Sequence, residues 1–172
     1  EAIVLVHGFL ASPAEMQTLG ERLANVGYHV IAVRLRGHGT SPWDLRDRNW
    51  QEWAQSVARG LKIAGAYSQR IHLVGFSTGG LLALQQAATG DYPSLVSVTS
   101  VSAPVEFHNK NMRFVPLIHQ ANRIVRWVSE EGLMTFRPNQ SEHPEVNYAH
   151  IPIRALHQLQ KLIAGFLDQT AV

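Results

Sequence analysis

The arrangement best suited to chemistry is Gly75-Phe76-Ser77-Thr78-Gly79, a serine with a glycine two residues to either side. A serine hydroxyl attacks a carbonyl effectively only where its turn exposes it and where the oxyanion formed by attack is stabilised. The flanking residues can supply both conditions. Ile71 to Val74 is an apolar run, and the residues from Ser77 to Ala88 are rich in leucine and alanine, so the order reads as strand, tight turn, helix. Glycines leave room for a sharp turn between a strand and a helix. Ser77 then lies at the amino end of the helix, where unpaired N–H groups and the helix dipole favour negative charge. An ordinary helix N-cap occupies the same place, so the motif alone leaves nucleophile and cap both open.

The other reactive side chains are less ordered. There is no cysteine, which excludes disulfides and thiolate metal sites, and the nine histidines do not cluster as a metal site requires. A general base for Ser77 must come within roughly 2.6–3.2 Å of its hydroxyl. His7 and His38 fall in glycine-containing loops, His29 and His72 begin strands, and His157 lies on the last helix. His108 and His119 belong to a region without strand spacing, and His143 and His150 to a polar loop. Glu106, just past a strand, is the best-placed acid in the chain, and Asp168 reads as a surface charge.

The elements that must position these groups alternate regularly. The chain has 172 residues, 45% of them hydrophobic, which suffices for one domain with a sizeable core. Ala2 to Val6 is a continuous apolar run, suited to a strand buried on both faces. Ser12-Pro13-Ala14-Glu15 reads as a helix start, with Ser12 as N-cap and Glu15 closing a capping box. Met16, Leu19, Leu23 and Val26 mark one face of that helix, and Gly27 stops it. Val30 to Val33 is a strand, followed by a loop from Arg34 to Pro42. Asn49 with Glu52 forms a second capping pair, ahead of a helix face of Trp50, Trp53, Val57 and Leu61. Ile71 to Val74 and Leu95 to Val101 are further strands. This succession predicts a parallel sheet covered by helices. From Val105 to His150 the strand spacing is lost; short helices and then a polar loop, Arg137 to Asn147, are expected. Pro152 opens a last helix with Ile153, Leu156, Leu159, Leu162, Ile163 and Phe166 on its apolar face.

Charge and hydropathy exclude some partners. The net charge is +2, but the basic residues are scattered, so nucleic acid is not expected as a partner. No apolar stretch is long enough to span a bilayer. Pro116 and interspersed charges argue against a clean amphipathic membrane helix, and surface contact with lipid stays open. No signal peptide is visible, which favours the cytoplasm, although the chain starts at Glu1 rather than at methionine.

Taken together, His7-Gly8-Phe9 after the first strand, Arg36-Gly37-His38-Gly39 after the second and Gly75-Phe76-Ser77-Thr78-Gly79 after the third resemble the α/β-hydrolase superfamily, in particular its carboxylesterase and monoacylglycerol-lipase branch. Their order and spacing are much more specific than any one of them. Ala149-His150-Ile151-Pro152-Ile153-Arg154 through Leu167 is similar to the helix that follows the cap in bacterial carboxylesterases. The resemblance implies a three-layer α/β/α hydrolase core with a parallel sheet and a helical cap insertion, lacking the last strands. Residues 1–104 would form the core with the nucleophile turn, 105–150 the cap, and 151–172 a helix returning to the core. It implies Ser77 as nucleophile and the backbone N–H groups of Phe9 and Thr78 as oxyanion hole. His7 and His38 would be structural, shaping loops through hydrogen bonds. Neither metal nor organic cofactor is implied, and the substrate would be a small acyl ester or lipid-like ester. In this fold the acid and the histidine follow the nucleophile in the chain. They are expected outside this stretch, in a continuation beyond residue 172 or in a second chain. The alternative is a non-catalytic hydrolase-like binding or scaffold fragment. An acyltransferase or C–C hydrolase on the same fold is a third possibility. The apolar cap, with Phe107, Phe114, Trp127 and Phe136, would suit an acyl-binding wall as well as a core of its own.

Overall fold

In the computed structural model, which describes residues 1–89, 92–104, 135–141 and 144–170, four parallel strands form the central sheet. They are β1 (Ala2–Val6), β2 (His29–Val33), β3 (Ile71–Phe76) and β4 (Leu95–Val101), in the order β2-β1-β3-β4. Ala2 of β1 stands opposite both His29 and Ile71, and Val6 opposite Val33 and Gly75, so the three strands run in step. All five residues of β1 are buried. Successive side chains of a strand face opposite sides. Ala2, Val4 and Val6 accordingly join one hydrophobic core, and Ile3 and Leu5 join another with Met16. Those two cores are what an apolar run without alternation demands.

The first core is closed by α3 (Trp50–Tyr67), α4 (Thr78–Thr89) and α5 (Ile153–Thr170). Trp53, Val57 and Leu61 of α3 are buried there, as are Leu81 and Leu82 of α4. Ile153, Leu156, Leu159, Leu162 and Ile163 of α5 are buried too, and Phe166 packs against them, as the sequence spacing requires. The Asn49–Glu52 capping box forms in full: the Asn49 side chain accepts from the Glu52 N–H, and the Glu52 carboxylate accepts from the Asn49 N–H.

The other core is covered by a 3-10 turn, Pro13–Met16, and α1 (Gln17–Asn25). The anticipated capping box does not form here. Ser12 makes no side-chain cap hydrogen bond, and Glu15 turns back to the loop after β1, accepting from the Gly8 N–H at 2.7 Å. The apolar face is also narrower than its spacing suggests, for Leu19 and Val26 are exposed. Gly27 does end the helix, at φ +98°. Its N–H bonds to the Ala24 carbonyl, and that of Tyr28 to the Leu23 carbonyl, the paired closure that a left-handed residue permits.

A short α2 (Pro42–Arg46) follows β2. The stretch expected as loop contains a strand, β5 (Phe136–Pro138), antiparallel to β6 (His150–Pro152). Three residues are too few to show a period of two. Pro152 accordingly ends β6, and the last helix begins at Ile153. Most of the anticipated cap, with Phe107, Phe114, Trp127, His108, His119 and Glu106, lies outside the described residues, as does His143.

Candidate active site

The turn at Ser77 is built by its glycines. Ser77 adopts φ +53°, a left-handed conformation rare for a residue with a side chain. Its N–H still bonds to the Val101 carbonyl at 2.8 Å, continuing the β3–β4 ladder, while its carbonyl accepts from the Leu81 N–H and starts α4. A β-carbon on Gly75 would lie 2.1 Å from the Gly79 carbonyl oxygen, and one on Gly79 would lie 2.3 Å from that of Val6. Neither position tolerates a side chain, because backbone stands on the other side. Gly80 is almost as confined, 2.7 Å from the Ser100 hydroxyl, and the five-residue motif gives no hint of it.

The loop after β1 meets this turn. A β-carbon on Gly8 would be 3.3 Å from that of Ser77, so His7-Gly8-Phe9 and the serine turn are in contact. The Arg36–Gly39 loop packs against the first loop: the His38 ring lies 5.3 Å from that of His7 and 6.0 Å from that of Phe9. The structure thus gathers all three motifs at the carboxyl ends of parallel strands, where ligand sites of open α/β sheets lie.

Both loop histidines are buried and act on backbone. His7 Nδ1–H donates to the Gly8 carbonyl at 2.8 Å, and its Nε2 accepts from the Leu35 N–H at 3.2 Å. Both nitrogens are therefore engaged in one neutral tautomer. Burial pushes its pKa down to about 4. Burial also pushes that of His38 down to about 3, helped by repulsion from His7, while Nδ1–H donates to the Arg36 carbonyl. At neutral pH neither ring carries charge.

Phe9 is half-buried, its ring 5.9 Å from that of Trp53. Thr78 is fully buried and is the first residue of α4, so its N–H has no acceptor within the helix. Ser77 itself is half-buried. Among the described residues, no histidine or carboxylate hydrogen-bonds to its hydroxyl. His29 and His72 lie at the opposite end of the strands, His150 is exposed on β6, and Asp168 is exposed on α5. No group of three histidine or acidic side chains suited to a metal occurs among the described residues. A cleft of about 470 Å³ adjoins the turn, lined by Met16, Leu19, Val74, Phe76 and Val101 together with the carboxylates Glu15 and Glu145.

Two contributors have no signature in the sequence. The Tyr148 hydroxyl donates to the Gly37 carbonyl at 2.9 Å and accepts from the Thr40 N–H at 2.7 Å, and its own N–H bonds to the Leu10 carbonyl. More than a hundred residues separate Tyr148 from the loops it ties and no local pattern encodes that. Glu15 was legible only as a capping residue, which is the competing use of the same carboxylate.

Comparison with known proteins bears on this geometry. The sequence profile described as the alpha/beta hydrolase family matches residues 3–169. A thermostable monoacylglycerol lipase from Bacillus sp. (strain H-257) is 30% identical over 166 residues, covering 94% of this chain and 61% of the relative. A carboxylesterase from Bacillus subtilis (strain 168) is 27% identical over 167 residues, covering 95% and 63%. This chain therefore spans about three-fifths of the length of these relatives. In a solved structure from work on the metagenome-derived lipolytic enzymes LipS and LipT, the fold superposes with a TM-score of 0.81 at 20% identity, over 98% of this chain and 66% of that one.

Proposed function

Since the chain belongs to the alpha/beta hydrolase family, we propose that it carries the nucleophile and oxyanion hole of a serine hydrolase of carboxylic esters. Ser77 is the nucleophile. Its hydroxyl adds to the acyl carbonyl and gives up its proton to a histidine supplied from outside this stretch. The tetrahedral oxyanion is held by the Phe9 and Thr78 N–H groups and collapses with loss of the alcohol, which takes that proton. Water then attacks the acyl-serine, and the acid leaves. A small acyl ester or a lipid ester such as a monoacylglycerol is the substrate class. The names of the two bacterial relatives support it.

The observation that carries this reading is the contact between Gly8 and Ser77. It sets the peptide before Phe9 beside a serine held at φ +53°, and a fold without chemistry to perform has no need of that strain. A second reading, a non-catalytic binding fragment, is favoured by one observation: among the described residues nothing takes the proton of Ser77. One experiment separates the two. A fluorophosphonate probe reacts with activated serines; applied to the protein together with the segment or second chain that supplies the histidine, with the intact mass measured alongside, it is expected to label the wild type and not Ser77→Ala. The absence of Ser77-dependent labelling would leave the binding reading.

A further inference from the structure

Gly8 is held from both sides, and the second hold comes from a carboxylate with no assigned role. The two peptide planes that meet at Gly8 are the unit to consider. In the second plane the Gly8 carbonyl and the Phe9 N–H are fixed antiparallel, because the peptide is planar and trans. His7 Nδ1–H and, more distantly at 3.4 Å, the Ala11 N–H bond to that carbonyl, which fixes the axis along which Phe9 N–H points. In the first plane the Gly8 N–H donates to Glu15 Oε2 at 2.7 Å, a charge-assisted bond stronger than a neutral one. A glycine has the widest backbone freedom of any residue. Both planes must be pinned for Phe9 N–H to hold one direction, and Glu15 pins the plane that His7 does not.

The surroundings support a fixed loop. Leu10, the residue after Phe9, sits at φ +69° and is retained there by the bond from the Tyr148 N–H to its carbonyl. Glu15 is placed by the 3-10 turn that Pro13 opens, and its helix start forgoes a side-chain cap, since Ser12 makes none. A β-carbon on Gly8 would lie 3.3 Å from both Glu15 Oε2 and the Ser77 β-carbon, so the carboxylate and the nucleophile flank the same glycine.

We propose that Glu15 is a positioning residue for the oxyanion hole, fixing the Gly8 peptide so that Phe9 N–H faces the oxyanion formed at Ser77. The inference rests on the serine hydrolase reading given above. Its test compares fluorophosphonate labelling rates of wild type, Glu15→Gln and Glu15→Ala, each together with the segment or second chain that supplies the histidine, with Ser77→Ala as blank. Thermal melts and the Gly8 amide proton shift by NMR are measured on the same samples. Glutamine keeps an acceptor oxygen on a side chain of the same length, and alanine removes it. A displaced donor costs on the order of ten-fold or more in rate, so Glu15→Ala is expected to label at least about ten-fold more slowly, with the Gly8 amide moved upfield. Glu15→Gln is expected to restore most of the rate.

Wild-type labelling by Glu15→Ala, measured well below its melting temperature, would reduce Glu15 to a structural residue and overturn the proposal. Equal loss in Glu15→Gln and Glu15→Ala, with the Gly8 amide unchanged in Glu15→Gln, would also overturn it, because charge rather than the hydrogen bond would then be at work. Failure of the wild type itself to label at Ser77 is a different result: it removes the hydrolase reading, and with it any oxyanion hole for Glu15 to hold.

Discussion

His7 and His38 set the acid limit of the loops around Ser77, and the sign follows from where each proton binds. In an unfolded chain a histidine titrates near 6.5. In the folded protein burial holds His7 down to about 4 and His38 down to about 3. Between those values the unfolded chain binds protons that the folded chain refuses. Stability is therefore fully present above about pH 6.5 and is lost as pH falls towards 4. For His7 the loss amounts to about 3 kcal/mol by the time its folded value is reached. His157, also lowered by burial and by Lys161, acts in the same direction. Asp44 and Glu1, held low by Arg48 and Arg70, begin to contribute only at more acid pH. Denaturant unfolding at pH 7.0 and pH 4.5 is expected to show the loss in wild type and a smaller one in His38→Gln; equal stability at the two values would contradict neutral burial of both rings. That these histidines shape loops was implied by the resemblance of their motifs to the hydrolase family. Their mutual contact was not, because the two loops meet only once β1 and β2 pair side by side.

At the scale of elements, two four-residue patterns looked alike in sequence and behave differently in the fold. Asn49 with Glu52 and Ser12 with Glu15 both match the capping-box spacing. Asn49 opens α3 on an exposed surface, where nothing competes for the Glu52 carboxylate except arginines. Glu15 stands within reach of the Gly8 N–H, a donor that no local pattern reveals. Asn49→Ala is therefore expected to destabilise the protein by about 1 kcal/mol, and Ser12→Ala by no more than a few tenths. Thermal or denaturant melts of the two variants check the pair, and a similar cost for both would mean that Ser12 caps after all. The same reasoning explains what else was legible. The run Ala2–Val6 specified a strand buried on two sides, and the leucine spacing of Ile153–Thr170 specified the buried face of α5. The β5–β6 pair carried no such signal, because each strand is three residues long and its register depends on residues twelve to sixteen positions away.

For the molecule as a whole, the sheet is covered unevenly, and that asymmetry has consequences. β1 is enclosed along its length, while β4, last in the order, has residues exposed along both faces. Among the described residues nothing pairs with its outer edge, and Val96 and Val101 are each 44% exposed. An apolar edge strand of seven residues is a template for pairing with another chain. Relatives about half as long again as this chain match it over 94% and 95% of its length, and under the proposed function the catalytic histidine approaches Ser77 from outside this stretch. The β4 edge leads directly to that place, since Val101 at its carboxyl end bonds to the Ser77 N–H. A segment that adds a strand to β4 would therefore bring its own carboxyl-end loop to the nucleophile, as β1 and β3 bring theirs. Produced by itself, this chain is expected to self-associate through β4, and Val96→Lys is expected to raise the monomer fraction by placing a charge on that strand. Size-exclusion chromatography with light scattering checks this. A wild-type monomer at every concentration would show the edge to be protected, and an association unchanged by Val96→Lys would place the contact on another surface.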